Sequence, residues 1–279
     1  MRKSDRPRWS SNRRSGTSAP GPAKRRDAEI WGSAPWERIE HQLAPIHTHL
    51  LRVLPHGPGV RFLDLATGAG AVALHAARAG ADVTGLDLAP RLIQTARRRA
   101  RAAGLRVRFD VGDAEALPYP DASFDAVAST MGIMFAPDHE AIARELARVC
   151  RPGGATAFSA WRDGGGWTPI TARYFEPRAA GEPDPLDFGR KGRVQALFAE
   201  AFELRFEYGD APLTAASGEE VWRLAVSASG PFKARVAALQ PDRRERLHFE
   251  LVDYVDRRRR DGKVHVPTPY VLTIGTRRS

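Results

Sequence analysis

The sequence predicts an α/β fold in which a doubly wound, mostly parallel β-sheet carries helices on both faces. Short apolar runs typical of strands alternate with amphipathic segments typical of helices, and this rhythm indicates successive βαβ units. Three of the early strands also end in an aspartate, at the level where loops of such a sheet line a ligand crevice. The predicted strands cover residues 60–65, 82–86, 106–110, 124–130, 154–161, 202–208 and 270–276.

Helices are predicted between these strands and in two flanking segments. The connecting helices cover 70–79, 89–103, 138–149 and 190–201, and an N-terminal helical region runs from about 36 to 54 with an interruption near Pro45. Residues 217–262 contain amphipathic stretches of helical period. We expect the N-terminal helical cap, residues 28–56, and the helical lid insertion, residues 217–262, to cover a ligand pocket.

The loop after the first strand is the strongest functional signal. An apolar run delivers Asp64 to the strand end, and the small-residue sequence up to Gly70 opens the next helix. Glycines allow a ligand to approach the backbone closely, and a helix N-terminus attracts anions. The segment 68–73 also satisfies the dinucleotide pattern G-x-G-x-x-G/A. Asp64, however, would repel a pyrophosphate, whereas it suits a ligand that carries an ammonium and a sulfonium, so the loop favours S-adenosylmethionine over a dinucleotide.

Two further strand-end acids extend this reading. Asp87 ends the second strand, where a carboxylate can accept both ribose hydroxyls, and the neighbouring Leu88 can lie against adenine. Asp113 ends the third strand, where it can accept the adenine amino hydrogens. The predicted cofactor-binding residues are Asp64, Ala66, Gly68, Gly70, Asp87, Leu88, Asp113, Ala114 and Ser129.

These motifs together resemble a known family. The segments 64–70, 112–125 and 151–154, with Asp87, are similar to the ordered motifs of class I S-adenosylmethionine-dependent methyltransferases, most closely the ubiquinone/menaquinone C-methyltransferase-like small-molecule enzymes. The strong resemblance covers roughly residues 60 to 161, and it departs at Ala66, where the commonest pattern has glycine. It implies a seven-stranded Rossmann-like sheet, a C-terminal antiparallel hairpin of the last two strands, and S-adenosylmethionine as cofactor.

Methyl transfer to a small-molecule acceptor, chiefly by proximity and alignment, is the predicted activity. The acceptor should meet the cofactor at the carboxyl ends of the fourth and fifth strands. The predicted acceptor pocket consists of Met131, Met134, Phe135 and Trp161, although packing in the core explains these side chains equally well. A general base is needed only if the acceptor must lose a proton. His139 is the candidate base. The alternative is that Asp138 is the N-cap of a helix and that His139 is a surface residue in its first turn.

Other function classes remain open at this stage. A nicotinamide-dependent oxidoreductase could use the same loop, and a non-catalytic partner subunit could bind the cofactor without turnover. Methylation of nucleic acid is disfavoured, because Ser129-Thr130-Met131-Gly132 is not the motif of amino-methylating DNA enzymes and the charge excess is confined to the N-terminus. Residues 1–26 hold nine basic and one acidic side chain, against 34 basic and 32 acidic ones elsewhere.

Composition adds further expectations about the environment. Residues 1–27 form a basic, Ser/Pro/Gly-containing tail that the sequence predicts to be disordered, ahead of a methyltransferase domain over 28–279. No apolar run approaches the roughly 18 residues of a membrane helix. The single Cys150 excludes an internal disulfide and favours the cytoplasm. No His/Cys cluster has metal-ligand spacing, so no metal is predicted.

Overall fold

The computed structural model of the chain describes residues 21–176 and 182–279. Its α-helices are α1 (Pro22–Gly32), α2 (Ala44–Val53), α3 (Ala71–Arg78), α4 (Pro90–Ala102), α5 (His139–Val149), α6 (Thr168–Thr171), α7 (Lys191–Phe198), α8 (Gly218–Ala228), α9 (Gly230–Ala237) and α10 (Pro241–Asp256). Short 3₁₀ helices cover Trp36–Arg38, Glu40–Leu43, Ile133–Phe135 and Pro185–Gly189. The strands are β1 (Arg61–Leu65), β2 (Asp82–Asp87), β3 (Arg108–Val111), β4 (Phe124–Thr130), β5 (Cys150–Trp161), β6 (Phe202–Asp210), β7 (Leu213–Ala215), β8 (Arg259–Arg260), β9 (Lys263–Val266) and β10 (Pro269–Arg277).

The predicted seven-stranded, mostly parallel sheet is confirmed, although β5 begins at Cys150, four residues before its predicted start. Seven strands follow the order β3-β2-β1-β4-β5-β10-β6. The pairs among β1 to β5 are parallel, whereas β10 runs antiparallel to both β5 and β6. Strands are added on one side of β1 up to β3, and from β4 onward on its other side. This reversal of strand order beside β1 is where open α/β sheets form a ligand crevice at the carboxyl ends of their strands.

The buried apolar side chains of the described residues form two separate cores. The larger core lies on the sheet, and its fully buried side chains include Phe62, Leu65, Ile93 and Phe158. A smaller core joins α8, α9 and α10 through Val221, Phe232, Leu247 and Leu251, among others. The helical segment predicted at 217–262 is therefore a separately packed unit. It is not helical throughout, however, because its end forms β8, which pairs with β9 in a three-stranded sheet with β7.

The start of the structured chain differs from the prediction. Residues 22–27, assigned to the disordered tail by composition, belong to α1, while residues 1–20 lie outside the described residues. Pro22 at the first helical turn and Gly32 at the end suit a helix. Lys24 of α1 forms ion pairs with Asp113 and Glu115, so tertiary contacts order a segment that looks polar and disordered in isolation.

Candidate functional site

The loops that follow β1, β2 and β4 meet at one end of the sheet. In the parallel register, Asp64 of β1 lies opposite Gly85 of β2 on one side and Ala128 of β4 on the other. The segments after these positions therefore emerge side by side. This adjacency brings the glycine loop, residues 64–70, next to Asp87 and the loop after β4.

Asp64 is a buried carboxylate with capacity for a ligand. Its Oδ2 accepts hydrogen bonds from the Thr67 hydroxyl at 2.6 Å and the Ala73 amide at 3.1 Å. No donor among residues 21–176 and 182–279 contacts Oδ1. Burial raises the pKa of Asp64 to about 7, against the opposing effect of these two donors, and the nearby charges of Asp87 and Glu40 raise it further.

Asp87 links the glycine loop to the end of β2. Its Oδ2 accepts from the Gly68 amide at 2.8 Å, and its Oδ1 accepts from the Ala89 amide at 2.9 Å. Burial raises the pKa of this carboxyl as well. Each oxygen keeps a lone pair after these bonds, so the predicted ribose contact is compatible with the geometry. Leu88, which lies between Asp87 and Ala89 in the chain, is half-buried.

The glycine loop adopts left-handed backbone conformations that leave space beside it. Ala66, Gly68 and Gly70 have φ angles of 52°, 56° and 86°. A Cβ at Gly68 would meet nothing within 4 Å, whereas one at Gly70 would lie 3.1 Å from both Ala96 and Phe109. The open side of Gly68 is thus a cradle for a ligand, and Gly70 is required for packing onto α4 and β3.

The loop after β4 touches the glycine loop directly. Ser129, buried in the sheet, accepts a hydrogen bond from the Ile133 amide at 3.3 Å, and the Met131 amide donates to the Ser159 hydroxyl at 3.2 Å. A Cβ added at Gly132 would lie 2.3 Å from the Cβ of Ala66. Ser129 therefore shapes this loop, and its predicted contact with the cofactor remains a prediction.

The third strand-end acid has a partner that the sequence did not reveal. Lys24 Nζ lies 3.1 Å from Asp113 and 2.7 Å from Glu115. The Glu115 amide also donates to Asp113 Oδ1 at 3.0 Å, and Ala114 packs against the main core. A ligand amino group at Asp113 would share this carboxylate with Lys24, so α1 lies beside the predicted adenine position.

The predicted acceptor residues separate into two kinds. Met131 and Met134 are buried in the main core, and Trp161 packs against it. Phe135 is 37% exposed, and its ring lies 4.9 Å from that of Trp31, which stacks at 5.5 Å on Trp36. We call Trp31, Trp36 and Phe135 the aromatic cluster; it joins α1 to the loop after β4.

His139 is not the helix-surface residue of the alternative reading. Its side chain is buried, its ring lies edge-on to Phe188 at 4.7 Å, and Nδ1 is 4.0 Å from an Asp187 oxygen. Burial lowers its pKa, against the opposing effect of Asp187, so the neutral ring is favoured. Asp138 caps α5 by accepting from the Ala141 amide at 2.7 Å.

Sequence patterns missed Lys24, Trp31 and Glu40, all of which lie N-terminal to β1. Each reaches the crevice through residues distant in sequence, as shown for Lys24 and Trp31 above and by the 2.6 Å ion pair of Glu40 with Arg99. The helix-start Pro22 and the two tryptophans within six positions were the available signals. These signals indicate that a helix packs onto the domain, but they do not indicate where on the domain it packs.

Neither a metal-ligand cluster nor a membrane-spanning helix occurs in the part of the chain that the structure describes. Over residues 21–176 and 182–279, no three His, Cys, Asp or Glu side chains are grouped so that they could hold a metal ion. No helix in the described ranges has both the length and the apolar character needed to span a bilayer.

Comparisons with known proteins agree with the sheet and its loops. Residues 63–158 match the family described as "Methyltransferase domain". An uncharacterized protein of Mycobacterium tuberculosis is 41% identical over 164 residues, 58% of this chain and 60% of that protein. The demethylmenaquinone methyltransferase of Thermus thermophilus is 50% identical over 96 residues, 34% of this chain and 44% of that enzyme. This chain thus spans less than two thirds of the length of these relatives.

A solved structure shares the fold across most of both chains. The [4+2]-cyclase SpnF superposes with a TM-score of 0.58 at 23% identity, covering 89% of this chain and 85% of that one. At this sequence identity, the structural similarity supports the fold alone. The loops that carry the motifs lie within the residues matched by the family. Residues 63–158 therefore form a class I S-adenosylmethionine-dependent methyltransferase domain.

Proposed function

We propose that this protein binds S-adenosylmethionine and transfers its methyl group to a small-molecule acceptor. The observation that carries the proposal is the buried Asp64 carboxylate, whose Oδ1 has no donor among the described residues, next to the open cradle at Gly68. A carboxylate at this place opposes a pyrophosphate and suits a ligand with an ammonium and a sulfonium. The residues present therefore fit this cofactor better than a nicotinamide dinucleotide.

The residues of this chain would bind the cofactor and orient the acceptor, and they would take no covalent part in the reaction. Asp87 holds the Gly68 amide and keeps lone pairs for ribose hydroxyls, while Asp113 and Leu88 would flank the base. Ala66, Gly70, Ala114 and Ser129 shape this side of the crevice. When bound, the cofactor supplies a methyl group already activated by a positive sulfur. Alignment of the acceptor with that methyl is then the main task of the protein.

We further propose that the acceptor is an apolar or aromatic small molecule, and not a nucleic acid. The aromatic cluster and the apolar side chains of Met131, Met134 and Trp161 support an apolar lining. The Thermus thermophilus relative is named for a demethylmenaquinone acceptor, which agrees with this chemistry. The N-terminal helices and the unit α8 to α10 would act as the lid over this side.

His139 stays a candidate base only for an acceptor that must lose a proton. Its lowered pKa keeps the ring neutral, as a base requires, but its observed neighbours are Phe188 and Asp187. An unchanged pH profile of turnover in His139→Ala would leave it as a packing residue. We assign the reaction to the cytoplasm, which the buried, unpaired Cys150 supports.

Two measurements test the proposal in sequence. Calorimetry with S-adenosylmethionine, S-adenosylhomocysteine and NAD should show binding of the first two and none of the third; tight NAD binding would overturn the assignment. Transfer of a labelled methyl group to a panel of aromatic acceptors then separates a methyltransferase from a protein that only binds the cofactor. The second step is necessary because the same fold is found in a cyclase.

A further inference from the structure

Glu40 reaches the glycine loop from the 3₁₀ helix ahead of α2. Its Oε2 accepts a hydrogen bond from Arg99 Nη1 at 2.6 Å, and the same nitrogen donates to the Ala69 carbonyl at 3.0 Å. Arg99 belongs to α4, so one guanidinium fixes Glu40 against the loop that starts α3. The Glu40 side chain is 17% exposed, which leaves it little contact with water.

The second oxygen of Glu40 has no partner in the described structure. Oε1 is buried and accepts no hydrogen bond from residues 21–176 or 182–279. A buried acceptor left unsatisfied loses its hydration without replacement, and such groups call for an explanation. A donor that arrives with a ligand would provide the missing bond.

The charge of Glu40 acts on the same carboxylate that marks the cofactor crevice. Glu40 and Asp87 both raise the pKa of Asp64, so three acids face this region, and the guanidinium of Arg99 pairs with Glu40. A neutral donor would satisfy Oε1 but leave the repulsion between Glu40 and Asp64. An ammonium group removes both costs, because it has three donors, no acceptor and a positive charge.

We propose that Glu40 binds the ammonium group of the amino-acid part of S-adenosylmethionine, together with Asp64. This assignment rests on the proposed function and adds to it a binding residue outside residues 63–158. It makes the N-terminal cap part of the cofactor site, in addition to being a cover for the acceptor.

The test compares three ligands on two matched variants. Glu40→Gln removes the charge and keeps the size, and Glu37→Gln is the control, because Glu37 also pairs with an arginine of α4, Arg91, at 3.3 Å. Calorimetry uses S-adenosylmethionine, S-adenosylhomocysteine and 5′-methylthioadenosine, which lacks the amino-acid part. Glu40→Gln should weaken the first two by about tenfold or more, as for loss of a charge-assisted hydrogen bond, and leave the third within twofold. Glu37→Gln should change none of them.

The possible outcomes separate this inference from the proposed function. No binding of S-adenosylmethionine to the unaltered protein overturns the proposed function. Binding that Glu40→Gln leaves unchanged, or an equal loss for all three ligands, overturns the role of Glu40 alone. If Glu40→Gln does not fold, Glu40→Asp, which keeps the charge but withdraws it by one methylene, decides by the same selective loss for the two ligands with an ammonium group.

Discussion

The glycine-loop side of the crevice and the aromatic cluster are built in different ways. Asp64 and Asp87 are held by hydroxyl and amide donors from the same or the adjacent βα unit. The aromatic cluster instead joins α1, a 3₁₀ turn and the loop after β4, which are far apart in the chain. The strand-end carboxylates Asp64 and Asp87 are therefore positioned locally by the βα units, whereas the proposed acceptor side depends on how additional segments pack onto the sheet.

Removing the Asp87 carboxylate tests the cofactor side most severely. Asp87→Ala deletes the acceptor of the Gly68 and Ala89 amides and the proposed ribose contact. We expect affinity for S-adenosylmethionine to fall ten- to a hundredfold, roughly 1.5–3 kcal/mol, by calorimetry. Asp82→Ala, at the exposed start of the same strand, is the control. An unchanged dissociation constant in a folded Asp87→Ala protein would mean that this carboxylate only supports the loop.

Gly132 tests whether the two sides are coupled. Gly132→Ala places a Cβ against that of Ala66, and such overpacking should lower the free energy of unfolding by about 1–3 kcal/mol. Ala66→Gly removes the obstructing methyl and also relieves a residue at φ 52°, for a gain of up to about 1 kcal/mol. In urea denaturation, the double variant should recover most of the loss. Strict additivity of the two changes would show that the loops do not meet.

The pH dependence of binding also distinguishes the two sides, because the cofactor side carries the buried acids Asp64 and Asp87, whose ionised forms a cation would favour. Asp64 has a pKa of about 7 in the free protein, raised by burial, Asp87 and Glu40. A cationic ligand favours the ionised form, so its affinity should increase with pH. The dissociation constant should fall by up to about tenfold between about pH 6 and 8. Asp64→Asn should abolish this dependence, and a flat profile in the unaltered protein would contradict it.

The same carboxyl has the opposite effect on the stability of the free protein. Its pKa is higher in the folded state than in the unfolded chain, where it is near 3.8. The folded state therefore binds more protons between those values, and its stability falls as pH rises from about 4 to about 7. Urea denaturation of the unaltered protein and Asp64→Asn across this window should show the contribution of Asp64 as the difference.

The smallest effect on cofactor binding should come from the aromatic cluster. Phe135→Ala removes the ring that packs on Trp31 and should raise the KM for an acceptor, while affinity for S-adenosylmethionine changes by less than about twofold. Phe249→Ala is the matched control, since Phe249 is 73% exposed on α10. An equal effect on both ligands would indicate that the cluster holds the whole crevice closed rather than contacting the acceptor.

Much of the sheet and the acid-bearing loops could be predicted because their signals are short in range. The observed β1, β2 and β4 lie within one residue of the predicted boundaries, since an apolar run marks each of them and a strand-end acid also marks β1 and β2. The three-stranded unit of β7, β8 and β9 was not predicted, because strands of two to four residues carry too little pattern. Residues 22–27 were predicted to be part of a disordered tail because composition carries no information on tertiary contacts, such as the ion pair of Lys24 with Asp113.

Local sequence signals were sufficient to predict the strands of the main sheet and the helices between them, the acids at three strand ends, and the small-residue loop of a methyltransferase domain. These features follow from periodicity and from residues adjacent in the chain. Tertiary structure alone decided that Lys24 would share Asp113, that Glu40 would present an unpartnered oxygen beside the glycine loop, and that Trp31 would meet Phe135. These contacts join residues that are far apart in the chain, and the local sequence around each residue does not indicate its partner. They form only because α1 and the 3₁₀ turns pack onto the sheet.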